Sequence, residues 1–121
     1  MAAESNTLSH EMGHYFGLFH TFEGAGMPGS ELVDGSNCTT AGDLVCDTPA
    51  DPYIAGEPVD QYVNPEMCRF ILPIKDGNGD WYVPDVGNIM SYYQGACSCG
   101  FTSGQFIRMA NTYLNSNQDD W

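Results

Sequence analysis

The chain has three histidines, and all of them fall in one short segment: His10-Glu11-Met12-Gly13-His14-Tyr15-Phe16-Gly17-Leu18-Phe19-His20. On a helix His10 and His14 stand one turn apart, so both imidazoles leave the same face and can hold one ion. Zinc takes nitrogen ligands at about 2.0–2.1 Å in a roughly tetrahedral shell. A third ligand on the next helical turn would point away. Gly17 resolves this, because glycine can take the left-handed conformation that ends a helix and swings His20 back. Three protein ligands leave a fourth position for water, as a catalytic zinc site requires. Glu11 follows His10 directly and can accept that water's proton. Bound zinc lowers the water's pKa toward about 7. Histidines packed or solvated without an ion are the alternative, but five specified positions match by chance in only about 10⁻⁵–10⁻⁴ of chains this long.

The elements that must position these residues follow from periodicity and punctuation. Leu8, Met12, Tyr15 and Phe16 recur at helical spacing, which predicts a helix from about Glu4 to Phe16 that Gly17 ends. From residue 23 to about 65 the chain is rich in Gly and Pro and reads as long loops, which are uncommon unless functional or tied down. Arg69–Ile74 and Trp81–Pro84 are strand candidates, and Asp76-Gly77-Asn78-Gly79-Asp80 between them suggests a hairpin. Thr102-Ser103-Gly104-Gln105 fits a capping box that opens a last helix. Phe106, Met109, Ala110, Tyr113 and Leu114 then define one apolar face. The fold class expected is α+β and loop-rich.

A length of 121 residues suits one domain. Three Lys/Arg against 16 Asp/Glu give a net charge of −13. Nucleic acid is excluded as a partner, since phosphate binding is driven by Lys and Arg. Docking on an anionic membrane is excluded likewise, and no apolar run is long enough to span one. The acidic field favours metal cations and basic peptides. Cys38, Cys46, Cys68, Cys97 and Cys99 read as two disulfides and a spare thiol in an exported protein. Five buried free thiols are the alternative; a cysteine zinc site is disfavoured because no CxxC pair is present. The first residues lack the basic and apolar regions of a signal peptide, which suggests a piece of a longer precursor.

The HExxHxxGxxH segment resembles the signature of the metzincin clan of zinc endopeptidases. Thr21 after the third histidine is similar to the pappalysin family, of the ulilysin-like cytophagalysin type. Three more segments agree with that family: Gly42-Asp43-Leu44-Val45-Cys46-Asp47-Thr48-Pro49, Asn88-Ile89-Met90-Ser91-Tyr92 at its Met-turn, and Phe101–Gln105 with Arg108-Met109 at its C-terminal helix. The resemblance implies the following. Met90 forms a hydrophobic floor under the zinc, and Tyr92 steadies the oxyanion. Cys68 pairs with Cys97. Cys38 can then close a small loop with Cys46, with Cys38–Cys99 left open. Calcium is a second candidate cofactor, with Asp43, Asp47 and Thr48 as possible ligands. Asp76–Asp80 also mimics the start of an EF-hand loop, but position 12 of that loop is Gly87 rather than Glu, so a plain hairpin turn is preferred.

A metzincin catalytic domain has an upper half before the active-site helix, and here the motif begins at residue 10. The expectation is therefore one partial zinc metalloprotease catalytic domain over residues 1–121. Residues 1–20 would be the active-site helix and zinc motif, and 21–121 a C-terminal subdomain with a Met-turn and a C-terminal helix. The function expected is a secreted zinc endopeptidase acting on peptide or protein substrates. The alternatives are a catalytically incomplete zinc-binding module and a structural fragment that orders only with its missing half. Association with an N-terminal subdomain, or self-association through an apolar patch beside the first helix, is expected with it.

Overall fold

The computed structural model describes residues 2–64, 66–93 and 97–115. Its first element is helix α1, Ala2–Tyr15. The helix closes as a Schellman motif: Leu18 N–H donates to the Gly13 carbonyl and Gly17 N–H to that of His14, both at 2.9 Å. Gly17 has φ +93°, the left-handed conformation expected of it. The buried side of α1 carries His10 and Gly13. The apolar residues that mark its periodicity lie elsewhere: Leu8 is 67% exposed, Met12 45% and Tyr15 63%. Periodicity located this helix correctly, but of its apolar stripe only Phe16 is half-buried, its ring centroid 6.5 Å from that of Tyr113.

The body after α1 is mostly loop, as its glycines and prolines imply. Its core is aromatic: Phe22, Tyr53, Tyr62, Val63, Val86, Tyr93 and Cys97 are buried together, with Phe70, Leu72 and Ile74 packed against them. Strand β1 (Val63–Asn64) pairs antiparallel with β2 (Arg69–Phe70) in the register Val63↔Phe70 and Asn64↔Arg69. The strand expected over Arg69–Ile74 is thus cut to two residues, since Pro73 has no N–H to continue a ladder. The expected partner Trp81–Pro84 is reduced to one bridge, Lys75↔Trp81. The turn between them forms as predicted. Asp76 accepts N–H groups of Asn78 and Asp80 on Oδ1 and of Val33 on Oδ2, so its carboxylate serves the turn and a neighbouring loop.

Two disulfides pin the loops, Cys38–Cys46 and Cys68–Cys97, and Cys99 is a free exposed thiol. Both pairs agree with the expectation. Cys68–Cys97 ties the end of the small sheet to the segment before the last helix. Closing that loop contributes about 3–4 kcal/mol on the chain-entropy account.

Helix α2 spans Ser103–Asn115. Its capping box is present: Thr102 N–H donates to Gln105 Oε1 at 2.8 Å, and Gln105 N–H to Thr102 Oγ1 at 3.1 Å. The face expected to bury is wrong. Phe106, Tyr113 and Leu114 are 57%, 40% and 62% exposed, while Gln105 is wholly buried and Arg108, Met109 and Thr112 are half-buried. The inward face runs i, i+3, i+4, i+7 through mostly polar residues. Gln105 and Arg108 face inward because they bond to the Asn88 side chain and to the Gly17 carbonyl.

Candidate metal centre

The Schellman turn at Gly17 returns the chain so that His20 meets the two helical histidines. His14 Nε2 and His20 Nε2 are 3.0 Å apart, and His20 Nε2 and His10 Nε2 are 3.1 Å apart. Two nitrogens bound to one tetrahedral zinc would be separated by about 3.3 Å, given bond lengths of about 2.0–2.1 Å. The far side of each helical imidazole is already committed. His10 Nδ1 lies 2.6 Å from the Ile89 carbonyl oxygen, and His14 Nδ1 lies 2.8 Å from that of Leu18. A carbonyl only accepts, so each Nδ1 carries a proton, and Nε2 is the nitrogen that each ring turns toward the other histidines. Three ring nitrogens converging on one point suit a cation. His20 is held neutral, its pKa pushed down to about 4 by burial and by His14 and His10 beside it. The donor set fits zinc.

Met90 lies wholly buried against α1. A Cβ on Gly13 would come 2.5 Å from its sulfur. Gly13 is therefore the gap in the helix that admits Met90 next to the histidines, a role the sequence reading did not assign. The Tyr92 ring stands edge-on to His20 with centroids 4.6 Å apart and lies 5.6 Å from His10; it is about half exposed. Glu11 is exposed, beside the histidines in sequence.

Residues from distant loops hold this arrangement, and spacing alone did not mark them. Thr21 donates its hydroxyl to Asp51 Oδ2 at 2.9 Å and its N–H to the Met90 carbonyl at 3.2 Å. Asp51 Oδ1 accepts the Tyr93 hydroxyl at 2.5 Å and the Tyr53 N–H at 3.1 Å. One buried carboxylate thus joins the residue after the third histidine to the residue after Tyr92. Burial pushes the Asp51 carboxyl up, against the pull of these bonds. From α2, Arg108 Nε donates to the Gly17 carbonyl at 2.9 Å, and its guanidinium sits over Phe19. This clamps the turn between the second and third histidines. A Cβ on Gly17 would also meet the Thr112 hydroxyl at 2.5 Å.

The calcium candidates divide. The Thr48 hydroxyl lies 2.8 and 2.6 Å from the two Asp43 oxygens and 2.8 Å from the Val45 carbonyl, so one proton serves three acceptors. Glu31 is an electrostatic neighbour of Asp43, and the sequence reading did not single it out. It is buried, its Oε1 has no partner among the described residues, and its pKa is pushed up to about 8 by burial and by Asp43 and Asp51. Asp47 does other work: its two oxygens accept the Thr102 hydroxyl at 2.7 Å and the Gly104 N–H at 2.8 Å, capping α2.

Comparison with known proteins agrees with the motif. An extracellular metalloprotease of Podospora anserina is 34% identical over 115 residues, covering 94% of this chain and 31% of that protein. Extracellular metalloproteases of Verticillium alfalfae and Sordaria macrospora are each 34% identical, over 110 and 111 residues. The chain covers 90% and 91% of itself in these matches, and 31% and 30% of the relatives. It therefore spans about a third of the length of the curated relatives it matches. The family model of the M43 peptidases, described as pregnancy-associated plasma protein-A, matches residues 1–114, and the chain, with its cluster of three histidines, belongs to that family.

Proposed function

We propose that this chain carries the zinc-binding and catalytic core of a secreted endopeptidase. One observation supports this above the others: three Nε2 atoms converge while the Nδ1 protons of two of the rings are bonded to carbonyls on the far side. His10, His14 and His20 would hold zinc, which when bound polarises a peptide carbonyl and acidifies water. Glu11 takes the proton of the attacking water and hands it to the departing amine. Tyr92, beside His20, donates its hydroxyl to the oxyanion that develops on the attacked carbonyl. Met90 and Gly13 keep the floor under the histidines dry and fixed. The likeness to proteins named extracellular metalloproteases, and the two disulfides, support export.

Calcium is proposed at Asp43, Thr48 and Glu31, where oxygens outnumber protons and one buried carboxylate oxygen lacks a partner. Asp47 is not among these ligands, being engaged at the α2 cap.

For the chain by itself a second reading has support: a metal-binding core that needs further chain to form a full cleft. Leu8, Met12 and Phe19 beside the histidines are 67%, 45% and 41% exposed, and the relatives are about three times longer. Hydrolysis of a quenched basic peptide, with and without chelator, separates the two readings. In whichever form is active, Glu11→Gln is expected to keep the metal and lose roughly 10²–10⁴-fold in rate. A variant within a few-fold of its parent contradicts the role of Glu11.

A further inference from the structure

One buried amide pair connects α2 to the histidine cluster. Asn88 Nδ2 donates to Gln105 Oε1 at 2.8 Å, and Gln105 Nε2 donates back to Asn88 Oδ1 at 3.0 Å. Both side chains are wholly buried. The pair is more than inter-element glue, because Asn88 Oδ1 also accepts the Met90 N–H at 2.9 Å. That N–H belongs to the same peptide group as the Ile89 carbonyl, which accepts the His10 Nδ1 proton at 2.6 Å. In a trans peptide the N–H and C=O point in opposite directions, so holding one end aims the other. A hydrogen bond at the N–H also polarises the carbonyl and strengthens it as an acceptor. The order is therefore Gln105, Asn88, the Ile89–Met90 peptide, then the His10 ring.

We propose that Asn88 and Gln105 are positioning residues that fix His10 as the Nδ1–H tautomer, through the Ile89–Met90 peptide. Free imidazole has no such constraint, and the opposite tautomer would put a proton on Nε2, facing the other two histidines. The inference rests on the metal-centre reading for its consequence, tighter zinc binding, but not for the tautomer itself. His14 supplies an internal control. Its Nδ1 donates to Leu18, within its own turn, so the relay does not reach it.

The test reads imidazole ¹⁵N shifts of the full metal-free chain at neutral pH, then zinc affinity by competition with a chelator. In the unaltered chain His10 is expected as the Nδ1–H form. Asn88→Leu removes the acceptor at similar volume. It should move His10 toward a tautomer mixture, leave His14 unchanged, and weaken zinc binding about 10–100-fold. Asn88→Asp keeps an oxygen for the Met90 N–H and should restore the His10 tautomer. Should Asn88→Leu fail to fold, Gln105→Met is read in the same way. Two results overturn the proposal: His10 mixed or Nε2–H in the unaltered chain, or an unchanged His10 tautomer in the foldable variant. A fixed Nδ1–H tautomer in a chain that binds no zinc supports the relay and overturns the metal centre instead.

Discussion

Gly13 shows what a single residue contributes here that its type does not announce. A glycine inside a helix costs about 1 kcal/mol relative to alanine. Gly13→Ala should therefore stabilise α1 if the helix stood alone. In the folded chain the added Cβ would fall 2.5 Å from the sulfur of a wholly buried methionine. Urea unfolding of Gly13→Ala is expected to show a net loss of roughly 1–3 kcal/mol, the usual cost of overpacking; a gain would mean that Met90 does not rest against the helix. Glu31 makes a second residue-scale prediction, for the chain stripped of metal. Its carboxyl is raised from 4.5 to about 8 by burial and by Asp43 and Asp51. The folded chain therefore holds a proton that the unfolded chain has already lost, and stability falls as pH rises toward 8. Below about 6.5, His20, lowered to about 4, acts in the opposite sense. The clear window is therefore pH 6.5–8, where thermal unfolding should show a falling midpoint. A flat or rising midpoint there contradicts the burial of an uncompensated Glu31.

Among the elements, the parts governed by neighbours in sequence were legible and those governed by distant partners were not. The i, i+4 histidines, the Gly17 break and the Thr102–Gln105 capping box are local devices, and the structure carries all three. The inward face of α2 was misread because apolar spacing identifies the stripe that would bury if burial were the only force. Gln105 and Arg108 instead face inward, to bond Asn88 and the Gly17 carbonyl. Asp51, Asn88 and Glu31 left no signal in spacing; the side chains from other segments that they bond to or sense electrostatically lie 12 to 42 residues away. The strands were overextended because their residues suit β-structure but Pro73 and the following turn limit the ladder. Asp47 belongs to this scale too. It accepts two bonds at the start of α2, from Thr102 and Gly104, so Asp47→Ala should cost about 0.5–2 kcal/mol, the range for a lost helix cap. Calcium dependence of stability should survive that change. Its loss would place Asp47 among the calcium ligands after all.

Across the whole molecule the two helices play unequal parts. Helix α1 supplies two of the histidines, while α2 supplies none and instead fixes the turns on either side of them. The loops between are held by two disulfides and an aromatic core rather than by sheet. Everything in this arrangement converges on one point in space where three ring nitrogens meet. Zinc at that point is tested by elemental analysis of the purified chain after exhaustive dialysis, alongside His20→Ala. About one zinc per chain is expected in the parent and a large loss in the variant, because His20 would be the third ligand. Full retention of zinc by His20→Ala, or none in the folded parent supplied with zinc, would contradict it.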